Sequence, residues 1–167
     1  MRFLLVAILA ASFGGCATTQ SPESTFRTYM DAYAEGDAAQ VYELSSPGAR
    51  ADAKRLQKDL LAVLDSGDPA KRILVEGRFS ITAKELRVMD NKQLFVWGVM
   101  SIRRRLTPAF VRSTVSEMSL VRVRAAVGGA EVIYRNSRGV ENSMRLLRTA
   151  DGWLVDDSPF PKEAGTQ

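Results

Sequence analysis

The apolar positions of this chain follow three rhythms in turn. Phe3-Leu4-Leu5-Val6-Ala7-Ile8-Leu9-Ala10-Ala11 is apolar without interruption. From Ser21 onwards apolar residues return every three or four positions, the period of a helix with one buried face. After Ser116 they alternate, the period of a strand with one buried face. Ser21-Pro22-Glu23 is a helix start: a capping hydroxyl, a proline at the first helical position and an acid in the first turn. Phe26, Tyr29, Met30 and Tyr33 then share one face, and Gly36 suits a left-handed stop. Asp37 can cap a short second helix carrying Val41, Tyr42 and Leu44, and Ser45-Ser46-Pro47-Gly48 reads as a break. A third helix is predicted over 49–65, with Leu56, Leu60, Val63 and Leu64 inward and Lys54, Arg55, Lys58 and Asp59 in water; Gly67-Asp68-Pro69 ends it.

The middle of the chain is less regular. Ile73-Leu74-Val75 and Phe79-Ser80-Ile81 read as short extended pieces, and Thr82-Ala83-Lys84-Glu85 has the form of a capping box opening a brief helix to about Met89. Two readings fit 92–106. Phe95, Val99, Ile102 and Leu106 have helical spacing, with Arg103-Arg104-Arg105 at the negative end of the helix, whereas the Phe, Val and Trp of 94–100 also favour a strand. Thr107-Pro108 repeats the cap-plus-proline start and predicts a short helix to about Ser113. Over 120–127, Val121, Val123, Ala125 and Val127 fall on one side and Arg122 and Arg124 on the other. Gly128-Gly129 is a two-residue hairpin signal, 130–135 returns with Val132 and Tyr134 on one face, Asn136-Ser137-Arg138-Gly139 turns, and 143–149 is a third strand. Ala150-Asp151-Gly152 turns into Trp153-Leu154-Val155-Asp156. The fold class is therefore α+β, with N-terminal helices packed on a C-terminal antiparallel sheet.

Composition narrows the classes of function. With 167 residues, 46% hydrophobic and 25% charged, the chain has room for one real core and is not globally disordered. A net charge of +4 spread over 23 basic and 19 acidic residues reads as a solvated mixed surface, with no nucleic acid as partner. One cysteine excludes a disulfide framework and a cysteine-built zinc cluster.

Arg2, the apolar run and the small residues of Ser12-Phe13-Gly14-Gly15-Cys16 form a secretory leader, too short for the roughly 20 apolar residues of a spanning helix. Gly14-Gly15-Cys16 resembles the bacterial lipobox, with Phe13 where that pattern favours Leu. The resemblance implies a signal peptide over 1–15, lipidation (palmitate-type acyl chains) of Cys16 and a tether over 16–20. The domain is then expected over 21–160, with a tail over 161–167. Several acyl chains on one residue hold a protein durably to a membrane. Ala17, rather than Asp, after the cysteine implies the outer membrane, facing the periplasm. Such a leader is also compatible with ordinary cleavage to a soluble periplasmic protein, or with an uncleaved anchor.

Two further stretches carry a family likeness. Ser21-Pro22-Glu23-Ser24-Thr25-Phe26 through Tyr33-Ala34-Glu35-Gly36-Asp37-Ala38, and Met144-Arg145-Leu146-Leu147-Arg148 with Asp151-Gly152-Trp153-Leu154-Val155-Asp156, resemble the opening helices and closing hairpin of the nuclear-transport-factor-2-like superfamily. The resemblance implies a cystatin-like cone: a curved antiparallel sheet wrapped around helices, often with a pocket between them. Many bacterial lipoproteins of unassigned role carry such a domain, and members often form a homodimer through the sheet.

The residues then limit the chemistry. Superfamily enzymes are isomerases, dehydratases and cyclases that commonly use a His–Asp pair, or an Asp base with Tyr donors. The chain has no histidine, so the usual base near neutral pH is missing. Tyr29, Tyr33, Tyr42 and Tyr134 lie on apolar faces, where core packing is the default, and Asp37, Asp68, Glu85 and Asp151 read as caps and turns. No catalytic residue, cofactor or metal ligand is assigned. Arg103, Arg104 and Arg105 are the densest charge, read as a solvated helix end or as a contact to an anionic surface. The expected function is a non-catalytic, lipid-anchored domain binding a small apolar ligand or an envelope protein. The alternative is an isomerase- or cyclase-type enzyme with an Asp/Tyr pocket.

Overall fold

A computed structural model describes residues 20–160. Cys16, the leader before it and the 161–167 tail lie outside the described residues. The order is α1 Pro22–Glu35, α2 Ala38–Glu43, α3 Pro47–Leu64, α4 Pro69–Phe79, α5 Ala83–Val88, α6 Asn91–Arg103, α7 Pro108–Ser116, then β1 Ser119–Ala126, β2 Gly129–Arg135, β3 Glu141–Thr149 and β4 Gly152–Val155. Among the described residues seven helices thus precede one curved four-stranded antiparallel meander, ordered β1-β2-β3-β4. The layout is α+β, and 92–106 resolves in favour of the helix.

The helices start by one repeated device. Ser21, Ser46, Asp68 and Thr107 each accept a backbone N–H with a proline just inside the helix. Ser46-Pro47, expected as a break, is therefore the first turn of α3. Asp68-Pro69 likewise opens α4, which absorbs Ile73-Leu74-Val75 and Phe79, with Ser80 as its left-handed C-cap and Ile81 in the loop beyond. The cap at Asp68 takes N–H groups from Ala70 (3.0 Å) and Lys71 (3.2 Å), and the Arg72 guanidinium donates to the Leu64 carbonyl at 3.2 Å, finishing α3. Val75 and Phe79, one helical turn apart, face inward. Ile73 and Leu74 stay 70% and 65% exposed, so no alternation of a half-buried strand ever existed there.

In the sheet, a bulge between Leu120 and Arg122 shifts the phase of β1. Leu120 and Val123 reach the core, while Ala125 and Val127 are exposed. The first hairpin turns at Val127-Gly128, not at Gly128-Gly129, because Gly129 already pairs with Ala126. That position must be glycine: a Cβ on Gly129 would lie 1.9 Å from the Leu146 carbonyl oxygen.

One hydrophobic cluster joins the two halves. Phe26 and Tyr29 of α1 meet Val132, Met144, Leu146 and Val155 of the sheet, and Phe95 and Val99 of α6 extend the cluster to Leu60 and Leu64 of α3. A polar stitch fixes their relative position. Ser46 N–H donates to Val155 O (2.7 Å), Val155 N–H to Leu44 O (2.8 Å), and Ser46 Oγ–H to Asp156 Oδ1 (2.6 Å). The end of the sheet and the start of α3 are thus held by the same few atoms.

Candidate functional site

The three consecutive arginines have three different roles. Successive helical positions point about 100° apart, so neighbours in sequence do not share a face. Arg103 turns inward to the end of α1, where its guanidinium donates to Tyr33 O (3.1 Å) and Ala34 O and lies against Gly36. It serves as a C-terminal cap of another helix. Arg104 ends α6 in solvent. Arg105 lies over the ring of Phe79, 4.9 Å from its centroid. The triplet, read as a solvated helix end or as one contact to an anionic surface, is therefore divided.

Around Arg105 the structure builds a cleft of about 170 Å³, lined by Leu56 of α3, Arg78 and Phe79 of α4, and Trp97, Gly98, Ser101, Ile102 and Arg105 on and just after α6. Phe79 and Trp97 face each other at 6.0 Å between ring centroids. Gly98 lets Phe160 pack tightly behind this wall: a Cβ there would come within 2.6 Å of the Phe160 ring and 3.3 Å of Leu56. The walls are apolar and the rim is basic. Arg78 lies 5.8 Å from the centroid of the same Phe79 ring that carries Arg105, and among the described residues neither has a carboxylate partner. Burial, and then the like charge of Arg78, lower the proton affinity of Arg105. Ser101 is 6% exposed and its hydroxyl has no hydrogen-bond partner. A buried hydroxyl left so costs about 1–3 kcal/mol. A mid-helix serine usually bonds back to the carbonyl one turn earlier; Ser101 does not.

The sequence singled out none of Arg78, Phe79, Trp97 and Ser101 as a set. The available signal was the four-residue spacing of Trp97 and Ser101 on α6 with Arg105 just beyond its end. Arg78-Phe79 was hidden by the extended reading of 79–81.

A second cavity, about 150 Å³, lies between α1 and the end of the sheet, lined by Tyr29, Met30, Tyr33, Met144, Asp157, Ser158 and Pro159. Burial raises the phenol of Tyr29 well above its ordinary value, against a smaller lowering by Ser45. Burial also raises Tyr33, offset in part by Arg103, and raises Tyr134 with help from the charge of Asp157. Such phenols donate hydrogen bonds and do not serve as bases. Asp157 Oδ2 accepts the Arg145 N–H at 2.8 Å, which ties this carboxylate to β3. Tyr42 stands apart, edge-on to Phe95 at 5.3 Å and beneath Arg50.

No protein-family profile, no curated protein and no solved structure matches the chain. Its site must be read from its own geometry. Among the described residues no helix is long and apolar enough to cross a membrane, and no group of three His, Cys, Asp or Glu side chains could hold a metal ion.

Proposed function

We propose that the protein is a lipoprotein held by Cys16 to the periplasmic face of the outer membrane, whose non-catalytic domain binds a small apolar ligand in the cleft of α3, α4 and α6. The observation that carries the binding reading is the apolar wall of Phe79, Trp97 and Leu56 around this cleft. Ligand sites are concave and mostly apolar with a few placed polar groups, and a drug-sized ligand needs roughly 300–1,000 Å³. A cleft of about 170 Å³ suits something smaller, or one end of a longer chain. The α+β layout supports a nuclear-transport-factor-2-like cone in its coarse order, with α3 to α7 as additional helices between the two stretches that carry the likeness.

Two measurements test this. Mass spectrometry of the N-terminal peptide should find a diacylglyceryl mass on Cys16, lost with its membrane retention in Cys16→Ser. Native mass spectrometry of the lipidated protein in nanodiscs should find a small apolar species that Ile102→Trp, which puts a larger side chain into the cleft wall, displaces. Retention of that species by Ile102→Trp would sink the cleft as its site.

One observation favours the enzyme reading: Tyr29, Tyr33 and Asp157 share a cavity. An isomerase working there would exchange α-protons of a carbonyl compound with D2O, and Asp157→Asn would abolish the exchange. The attachment of Asp157 to Arg145 N–H supports a structural role for the carboxylate, and the binding reading is the conclusion.

A further inference from the structure

We propose that the ligand of the α3–α4–α6 cleft is an anionic amphiphile, an acyl or alkyl tail ending in a carboxylate or phosphate, with its head held by Arg78, Arg105 and Ser101. This rests on the reading of the cleft as a binding site and specifies what enters it. Three donor groups line one small cleft; among the described residues the Ser101 hydroxyl has no hydrogen-bond partner and neither guanidinium has a carboxylate. Two are guanidiniums laid on a single aromatic ring, at 4.9 and 5.8 Å from its centroid. The third is the hydroxyl of Ser101 on α6, four residues before Arg105 and in the lining of the same cleft. Like charges held together beside an apolar wall are stabilised by an anion, and a neutral ligand, even one whose oxygen can accept from Ser101, leaves the repulsion in place. A carboxylate or phosphate brings at least two acceptor oxygens and the missing charge, in charge-assisted bonds roughly twice as strong as neutral ones. Phe79, Trp97, Leu56 and Ile102 leave no polar partner for the rest of the ligand, which is therefore hydrocarbon.

The test is calorimetric titration of the full lipidated protein in zwitterionic nanodiscs, with empty nanodiscs subtracted. The probes are hexanoate, hexyl phosphate, hexanol, acetate and inorganic phosphate. Hexanoate or hexyl phosphate should bind at least about tenfold more tightly than hexanol, a preference of the size that charge-assisted bonds supply. Whichever of the two binds more tightly names the head as carboxylate or phosphate. Acetate and inorganic phosphate should bind far more weakly than their tailed counterparts. In the Arg78→Gln/Arg105→Gln double variant the preference for anions should fall to near parity while hexanol binding is unchanged, which also shows that the variant is folded. Ser101→Ala should weaken the anions more than hexanol. Equal affinity for hexanol and hexanoate in the unaltered protein would overturn the anionic head and leave the cleft reading standing. Equal affinity for inorganic phosphate and hexyl phosphate would overturn the tail. If none of the tailed probes binds, the cleft reading itself fails.

Discussion

Arginine is placed on the outer face of the sheet and at the mouth of the cleft in opposite ways. On the sheet four of the five guanidiniums meet an acid: Arg124 bonds Glu131, Arg122 and Arg135 share Glu141 at 3.7 and 3.1 Å, and Arg145 reaches Asp156 at 3.7 Å, while Arg148 lies over the Trp153 ring, 5.0 Å from its centroid. At the cleft, Arg78 and Arg105 share an aromatic ring and, among the described residues, have no acid. Exposed pairs of the first kind contribute little stability each, but they leave no charge to offer a ligand. Unpaired cations beside apolar walls do the reverse. The same residue type thus finishes a surface in one place and leaves a binding capacity open in another.

The predictions are arranged to break that contrast, largest effect first. Gly129→Ala, which drives a Cβ into the Leu146 carbonyl, should destabilise the sheet by about 3 kcal/mol or more, read as a lowered urea midpoint. It removes the platform on which the paired arginines of the sheet stand. Ser46→Ala should cost about 1–2 kcal/mol, because one hydroxyl both caps α3 and bonds Asp156. Asp156→Ala, which leaves the cap, should cost less by the same assay. Arg103→Ala should cost about 1 kcal/mol through the uncapped carbonyls of α1, whereas Arg105→Gln two residues later should move stability by less than about 0.5 kcal/mol while removing preference for an anion. A comparable loss from both substitutions would show that Arg105 is structural and end the contrast.

The smallest effect is electrostatic. Hydrogen bonding from Ser143, and then from Arg124, holds Glu131 below its ordinary value of 4.5. A lowered folded value means that its contribution is complete above about 4.5 and is lost as the pH falls through the folded value. Carboxyl NMR titration should place the Glu131 midpoint under 4.5, and Arg124→Gln should raise it only in part, because Ser143 remains. A full return to 4.5 would make the arginine, not the hydroxyl, the main partner.

How much was legible depended on range. Helix starts are local, so Ser21-Pro22, Thr82 with Glu85, and Thr107-Pro108 could be read directly. Asp68-Pro69 carries the same signal, but the β-branched and aromatic residues after it invited a strand. The cap and the packing of Val75 and Phe79 outweighed that local preference. For the candidate site, the one-turn spacing on α6 was visible in the sequence, but nothing there put Phe79 opposite Trp97. Those residues are eighteen positions apart and meet only because α4 and α6 both pack around α3.

Period, caps and the absence of histidine are properties of the chain alone, and they determined the class of fold, most of its helix starts and the shortage of chemical tools. Tertiary structure alone decided which arginines are spoken for. Whether a guanidinium meets a carbonyl, a carboxylate or only an aromatic ring depends on groups brought from elsewhere in the chain. Arg103, Arg104 and Arg105 are adjacent in sequence, and only packing sends the first to α1, the second to water and the third to the mouth of a cleft.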